Sequence, residues 1–388
     1  MNYFIKDNVC VPYKLILSRV NSFLNLNNWN LVTDEKNADI CIIGTCGAFH
    51  SLKDESIKNI KSAQKNKIKV IVYGCLIKIS PEEIKALQPD ITIAASDWYK
   101  FEELVNPLIV PLSDVFQPSE FVTKDDYRLY DPSKKFIYIQ TGCSSDCPYC
   151  PHKLGIGPLK SRPENEIIDQ IKFLTENDAK TIVLHGNDTG AYGTDIGNTS
   201  YPQLLKKILP FSPIIHLTQV NADWGYFYKD ELFPILNTEK KIKEFQILIQ
   251  TSSNRLLKLM KRKPIVQDIH PYLKKLKKNR KDIIFRTDII IGYPTSTEEE
   301  ERMTLDYVAE IFDEVAVHAF ERFSHTKIEK MGLPFFQQDI IEDRVNKALE
   351  YLKTCQEILV HRGGQIYETM LNIEKPKEKL RNRNLLID

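Results

Sequence analysis

The feature that most constrains this chain is the run Thr141-Gly142-Cys143-Ser144-Ser145-Asp146-Cys147-Pro148-Tyr149-Cys150, which follows the apolar stretch 136–140. A Cys-x3-Cys-x2-Cys spacing lets one short loop bring three thiolates around a single [4Fe-4S] cube and leaves one iron without a protein ligand. An open iron can take the amino and carboxylate groups of S-adenosylmethionine and pass an electron to its sulfonium. Chemistry of that kind is carried by the cofactor, and the protein supplies binding, orientation and exclusion of side reactions. Tyr149, between the last two cysteines, is placed to pack beside the adenine. The alternatives are a zinc knuckle and three ordinary buried thiols. A structural zinc site wants four ligands, and no fourth Cys or His stands at finger spacing, although His152 is near.

A length of 388 residues predicts two or more domains with room for real cores. Apolar content of 42% and charged content of 27% are those of a soluble globular protein. No apolar run approaches the ~18 residues that a membrane helix needs, and residues 1–7 lack the layout of a secretory signal. The expectation is a cytoplasmic protein with no membrane partner. Eight cysteines in such a chain argue for metal or redox work over a disulfide scaffold. A net charge of +1 gives no overall basic excess of the kind that marks a strong nucleic-acid binder.

Residues 1–118 alternate strands and helices. The runs 38–44 and 69–73 are short, β-branched and almost uniformly apolar, the pattern of parallel strands covered on both faces. Residues 51–66 are polar with helical periodicity, and Ser80-Pro81-Glu82-Glu83 reads as a helix start. A small doubly wound α/β domain is predicted. Cys46 and Cys75 follow its two clearest strands, and Cys10 precedes an amphipathic stretch, 15–26. Residues just after parallel strands converge on one crevice. Taken singly, each of the three is a small core residue, the class in which Cys41 and Cys355 are left.

Residues 119–133 read as a linker. Strand then helix follows six times from 134 to 335, with strands at 136–140, 181–186, 214–220, 245–251, 283–291 and 314–320, which predicts an incomplete (β/α)6 barrel. Chemistry in barrels gathers at the carboxyl ends of the strands. There stand Gly186, Asn187 and Asp188 with Tyr192, then Gln250 to Ser253, Asp288 to Pro294, and Glu321 with Arg322. A long helix is expected from about Gln338 to His361, ended by Gly363-Gly364, and a charged tail completes a C-terminal segment 336–388.

These residues resemble, in order over about residues 1–335, the methylthiotransferases of the radical S-adenosylmethionine superfamily, which modify tRNA adenosines and a ribosomal protein aspartate. Cys10, Cys46 within Gly-Thr-Cys-Gly, and Cys75 within Tyr-Gly-Cys-Leu match the family's N-terminal cysteines, and Cys143, Cys147 and Cys150 match its radical motif. Ser161-Arg162-Pro163, Gly186-Asn-Asp-Thr-Gly-Ala-Tyr-Gly193, Gln250-Thr-Ser-Ser253, the Met260 to Arg262 stretch and Thr287-Asp288-Ile-Ile-Ile-Gly292-Tyr-Pro294 are similar to further family motifs. The resemblance implies two [4Fe-4S] clusters. The one on Cys143, Cys147 and Cys150 would cleave S-adenosylmethionine, with Tyr149, Gly186, Asn187, Asp188, Tyr192, Gln250, Ser252 and Asp288 as cofactor-binding candidates. The one on Cys10, Cys46 and Cys75 would supply the sulfur. A reducing donor such as flavodoxin or ferredoxin is implied as well.

The chain departs from the family at several points. No substrate-gripping TRAM module is recognised after the long helix. Gly292-Tyr-Pro-Thr-Ser-Thr297 stands for Gly-Phe-Pro-Gly-Glu-Thr, Phe320-Glu-Arg-Phe-Ser-His-Thr326 for Tyr-Ser-x-Arg-x-Gly-Thr, and His216 where an Arg is common. The basic run between Lys258 and Lys281 could track phosphates or form the solvated face of a barrel helix. The reading favoured is methylthiolation of a peptide or protein side chain. The alternatives are a tRNA adenosine methylthiotransferase, a radical enzyme without sulfur output, and a two-cluster electron carrier.

Overall fold

The computed structural model describes residues 1–122, 134–355 and 358–363; most of the expected linker and the charged tail lie outside the described residues. A first sheet contains β1 (Asn2–Lys6), β2 (Asn30–Leu31), β3 (Ile40–Thr45), β4 (Lys69–Gly74) and β5 (Ile91–Ala94), in the order β2-β1-β3-β4-β5 and parallel throughout. Period-2 alternation divides its central strands between two cores. Cys41, Ile43, Val70 and Val72 pack with Ile60, Ala63 and Ile84 from the helices on one face. Ile40, Ile42, Ile71 and Tyr73 pack with Leu15, Leu17 and Phe23 of the helix Val11–Leu26 on the other.

The second sheet contains β6 (Lys134–Tyr138), β9 (Thr181–His185), β10 (Ile214–Asn221), β11 (Ile242–Leu248), β12 (Ile284–Ile291), β13 (Glu314–Ala319) and β14 (Leu359–Arg362), again all parallel, in the order β14-β13-β12-β11-β10-β9-β6. Two short strands, β7 (Gln140–Thr141) and β8 (Lys160–Ser161), pair antiparallel around the cysteine loop. The two sheets are joined by one core, because Phe136, Tyr138, Ile156 and Val183 pack into the cluster beneath the helix Val11–Leu26.

All six expected barrel strands are present. The C-terminal segment differs: the helix Gln338–Thr354 stops seven residues short of His361, and Leu359–Arg362 adds a seventh strand beside β13. Unpaired backbone along the edge of β13 is satisfied by that pairing, a tertiary preference that outweighs the helical periodicity of the sequence. Among the described residues no helix is long and apolar enough to cross a membrane.

The barrel interior carries charge. Arg286 on β12 stands between Glu244 on β11, at 2.7 Å, and Glu314 on β13, at 2.8 Å, and His216 on β10 lies 3.1 Å from Glu244. Burial pushes the Glu244 carboxyl up, but Arg286 and His216 outweigh it and hold the group well below the usual carboxylate range. The family's frequent Arg at position 216 is thus replaced by a His that still pairs with a carboxylate. Removing one member of a buried ionic network leaves uncompensated charge, at a cost of roughly 3–5 kcal/mol. Arg286→Ala is therefore expected to destabilise the apo-protein by about that amount in urea unfolding, and Arg286→Lys by less.

Candidate functional site

The cysteine loop is shaped by its backbone. Gly142 has φ +72°, and a Cβ there would stand 1.8 Å from the carbonyl oxygen of Pro158, so only glycine fits. The Gly142 N–H donates to Asn187 Oδ1 at 3.0 Å, the Ser145 N–H points at Cys143 Sγ at 3.4 Å, and Lys153 Nζ donates to the Cys143 carbonyl. Asp146 accepts from Lys261 at 3.1 Å and from Lys327, which ties the loop to the barrel rim; these two hydrogen bonds hold its carboxyl below the usual range.

Cys143, Cys147 and Cys150 line one side of a cavity of about 230 Å³. Asn187, Asp188, Gln219, Gln250, Asp288 and His318 line it from the strand ends, and Ala48 and Phe49 close it from the N-terminal unit. Gln219 and Gln250 reach it from left-handed backbone, with φ of 60° and 66°. Strained non-glycine backbone of that kind persists where its surroundings over-determine it, commonly at functional sites. Gln250 is held by its N–H on the Asp288 carbonyl at 3.0 Å and its carbonyl on the Ile290 N–H at 2.9 Å.

Burial pushes the Cys143 thiol up to about 12, helped by the charge of Asp188, and Cys150 up to about 11, helped by Cys147. Such thiols ionise only when a cation compensates them, which is what iron or zinc coordination does. Among the described residues no three His, Cys, Asp or Glu side chains converge tightly enough to hold a single ion. A cube takes each thiolate on a different iron, so its ligands surround a space; the three thiols lining one wall of the cavity fit that demand.

The N-terminal cysteines gather on the facing side. Cys10 stands at the N-cap position of the helix Val11–Leu26, while Cys46 and Cys75 directly follow β3 and β4. The interaction between these two thiols lowers Cys46 and, with burial, raises Cys75. Burial, then the charge of Cys46, push Cys10 up to about 12. The Gly47 N–H donates to Cys75 Sγ at 3.3 Å. The helix His152–Ile156, just after Cys150, approaches this triad: His152 helps to lower the Cys46 thiol, and a Cβ at Gly155 would stand 2.4 Å from the Cβ of Cys75.

Of the remaining expected residues, Gly186 lies against the buried Gln140 amide, where a Cβ would meet Nε2 at 2.9 Å. Asp188 accepts from Trp224 Nε1 at 3.2 Å and lies 3.8 Å from Cys143 Sγ. Asp288 accepts from Gln246 at 2.9 Å and pairs with His318 at 3.1 Å; burial pushes it up, but the His318 hydrogen bond and charge outweigh this and lower it. Three of the expected residues stand off the cavity, Gly186 among them. Tyr192 is fully buried in the barrel core with its hydroxyl on the Arg162 carbonyl, and Ser252 is spent on Thr304, 3.0 Å from its N–H; neither lines the cavity. Both belong to motifs of which Asn187, Asp188 and Gln250 do line the cavity, and a motif does not say which way each side chain points. Arg262, noted in the Met260 to Arg262 motif but not among the expected cofactor-binding residues, also lines the cavity, with Nη1 anchored on Asn221 Oδ1 at 2.9 Å and the Leu248 carbonyl at 3.1 Å. Its placement in a basic run hid it.

Residues 137–308 match the radical SAM superfamily, and residues 16–96 match a family described as uncharacterized protein family UPF0004. A ribosomal protein uS12 methylthiotransferase RimO of Clostridium botulinum is 31% identical over 79% of this chain and 72% of its own. The protein of the same description from Clostridioides difficile is 29% identical over 90% of this chain and 81% of its own. The chain belongs to the radical S-adenosylmethionine methylthiotransferases. Among solved structures, the radical S-adenosylmethionine methyltransferase TsrM of Kitasatospora setae superposes with a TM-score of 0.60 at 13% identity, covering 84% of this chain and 74% of that one. The cobalamin-dependent radical enzyme OxsB gives 0.56 at 15% identity over 97% and 61%. At such identities these two share the fold alone. Membership in the methylthiotransferase family implies one [4Fe-4S] cluster and S-adenosylmethionine.

Two outcomes follow for the metal-free methylthiotransferase. Gly155→Ala overpacks the contact with Cys75, which costs about 1–3 kcal/mol, so its melting temperature should fall and Cys75 should alkylate faster. Burial pushes the Asp188 carboxyl from its ordinary 3.8 up to about 7. The folded chain therefore holds a proton that the unfolded chain has lost, and stability falls as pH rises through that window. Asp188→Asn should raise the melting temperature at pH 8 and leave it nearly unchanged at pH 4.

Proposed function

We propose that this methylthiotransferase inserts a methylthio group into an unactivated C–H bond of a protein side chain, with one [4Fe-4S] cluster on Cys143, Cys147 and Cys150 and a second on Cys10, Cys46 and Cys75. The observation that carries the reading is the meeting of the two cysteine triads across the Gly155–Cys75 contact, with an open cavity beside them. When bound, the barrel cluster supplies the electron that splits S-adenosylmethionine, and the N-terminal cluster supplies the sulfur.

The chain's own residues have the remaining tasks. Asp188 Oδ1 and Arg262 Nε, buried and without hydrogen-bond partners among the described residues, form an acceptor and a donor suited to the ammonium and carboxylate of S-adenosylmethionine. Tyr149, set edge-on to Tyr293 at 5.7 Å, offers a ring to the adenine. Asp288, with His318 behind it, is an acceptor for hydroxyl or amide donors entering the cavity. In this reading residues 1–118 hold the sulfur-donating centre and residues 134–335 the radical centre. The segment from 336 completes the barrel.

A protein substrate is favoured by the relatives, whose names specify ribosomal protein uS12. It is also favoured by the fate of the basic run. Lys274 pairs with Glu310, Lys277 with Asp313, Lys261 with Asp146 and the buried Arg280 with Asp282, so much of that charge is compensated within the barrel. Paired cations neutralise few phosphates.

With a reducing donor such as flavodoxin or ferredoxin, Cys147→Ala is expected to abolish 5′-deoxyadenosine formation. Cys46→Ala should keep that cleavage and lose the methylthio product. Mass spectrometry of uS12 and of tRNA incubated in parallel reads the substrate. Methylthio product on tRNA and none on uS12 would overturn the protein-side-chain reading, and undiminished cleavage by Cys147→Ala would overturn the site.

A further inference from the structure

We propose that a basic rim around the radical loop is the docking face for a small acidic electron-carrier protein, the donor that reduces the barrel cluster. The inference rests on the assignment of that cluster to Cys143, Cys147 and Cys150. A protein donor has to bring its own redox group close to the centre it reduces, so its docking face lies where the ligand loop reaches the surface. Ser144 and Asp146, between the first two radical cysteines, are exposed.

Five exposed lysines flank these residues from two directions. Lys258, Lys261 and Lys263 come from the end of the helix Asn254–Leu259 and the turn after it, where the Lys261 N–H donates to the Lys258 carbonyl at 3.1 Å. Lys327 and Lys330 come from the short 3₁₀-helix Lys327–Met331, in which residues three apart stand on one face. The Ile328 N–H donates to the Pro148 carbonyl at 2.9 Å, which seats that helix on the radical loop. Asp146 pairs with Lys261 at 3.1 Å and with Lys327, and so joins the two groups.

One carboxylate thus serves two of the lysines, and Lys258, Lys263 and Lys330 have no ion pair among the described residues. Asp223 is engaged by the Lys263 N–H at 3.2 Å and Glu329 by Arg322 at 2.6 Å. The rim therefore carries a local surplus of positive charge on a chain whose net charge is +1. The pocket beside it, lined by Lys53, Glu82, Glu83, Arg322 and Glu329, sets three glutamates against two cations and does not attract an acidic partner. A patch of one sign steers a partner of the other and raises its association rate. In the step it serves, one electron leaves the reduced carrier, which is oxidised by one electron, and enters the barrel cluster, which is reduced by one. No bond forms or breaks.

The test uses the reconstituted full-length enzyme carrying Lys258→Glu, Lys263→Glu and Lys330→Glu together, which leaves the two lysines that hold Asp146 in place. Formation of 5′-deoxyadenosine is followed with dithionite, which needs no docking face, and with bacterial flavodoxin reduced to its hydroquinone. The dithionite rate should match wild type. The flavodoxin concentration for half-maximal rate should rise about tenfold at low salt. The difference should close as ionic strength approaches about 1 M, where the Debye length is about 3 Å. The corresponding Gln substitutions should give a smaller rise, and they carry the test if the Glu set loses its dithionite rate. An unchanged flavodoxin dependence at low salt overturns the docking face, and weaker tRNA binding alongside it assigns the rim to nucleic acid. Failure of flavodoxin and of an acidic ferredoxin alike to reduce wild type overturns it as well. Absence of cleavage by wild type with dithionite overturns the radical-centre assignment instead.

Discussion

The site depends on the absence of a side chain at position 155. The helix His152–Ile156 begins directly after the third radical cysteine, so wherever it seats decides where Cys150 and His152 stand. It seats on Cys75 because Gly155 lets the two backbones close up, with its absent Cβ only 2.9 Å from the Cys75 carbonyl oxygen. Ile156 then enters the core beneath the helix Val11–Leu26 together with Phe136, Tyr138 and Val183. A large apolar interface removes the relative motion that domains otherwise show. A shared core fixes the two cysteine triads relative to one another more firmly than surface ion pairs, each worth about 0–1 kcal/mol.

The cysteine motif was legible because its geometry is local: three ligands on eight residues need no tertiary partner to be recognised. The strands β3, β4 and most of the barrel strands were legible because a parallel strand covered on both faces reads as an unbroken apolar run. β1, with Asn2 and Lys6 at its ends, and β5, four residues long and interrupted by the exposed Thr92, lack that signature, and β14 was absorbed into a helical pattern that ends at Thr354. The convergence of Cys10, Cys46 and Cys75 could be argued from the crevice rule for parallel sheets. Their meeting with the radical loop could not, since the Gly155–Cys75 approach joins segments that no periodicity relates. Within motifs, position was legible and direction was not: Asn187 and Asp188 reach the cavity, while Tyr192, four residues beyond Asp188, fills the barrel core.

The departures from the family pattern are absorbed by new contacts at the rim. Where the family has Gly-Phe-Pro-Gly, Thr295 takes the last position at φ 69°, a left-handed conformation costly for a β-branched residue, on the order of 1–3 kcal/mol. Arg255 holds it there, with Nη1 on the Thr295 hydroxyl at 3.0 Å and Nη2 on its carbonyl at 2.7 Å, and is itself paired with Glu300 at 2.6 Å. Glu300 also closes the capping box that starts the helix Glu298–Ile311. The carboxylate missing from position 296 is partly replaced by Glu301, which accepts from the Gly292 N–H at 2.9 Å and the Ser296 hydroxyl at 2.6 Å.

The same logic governs the end of β13. Glu321, standing where the family has Ser, accepts the His50 N–H at 2.7 Å at the start of the helix His50–Lys65, and His50 stacks on Phe323 at 4.6 Å. A carboxylate is favourable at a helix N-terminus, where unpaired N–H groups and the helix dipole attract negative charge. Arg322 turns outward to Glu329, with contacts of 2.7 and 2.6 Å, and leaves the cavity mouth. A segment that in the family pattern carries an Arg two residues further on is thus used here to dock the N-terminal unit. The cysteines lie behind these changes and keep their spacing, so sequence drift at the rim leaves both triads on the elements that carry them.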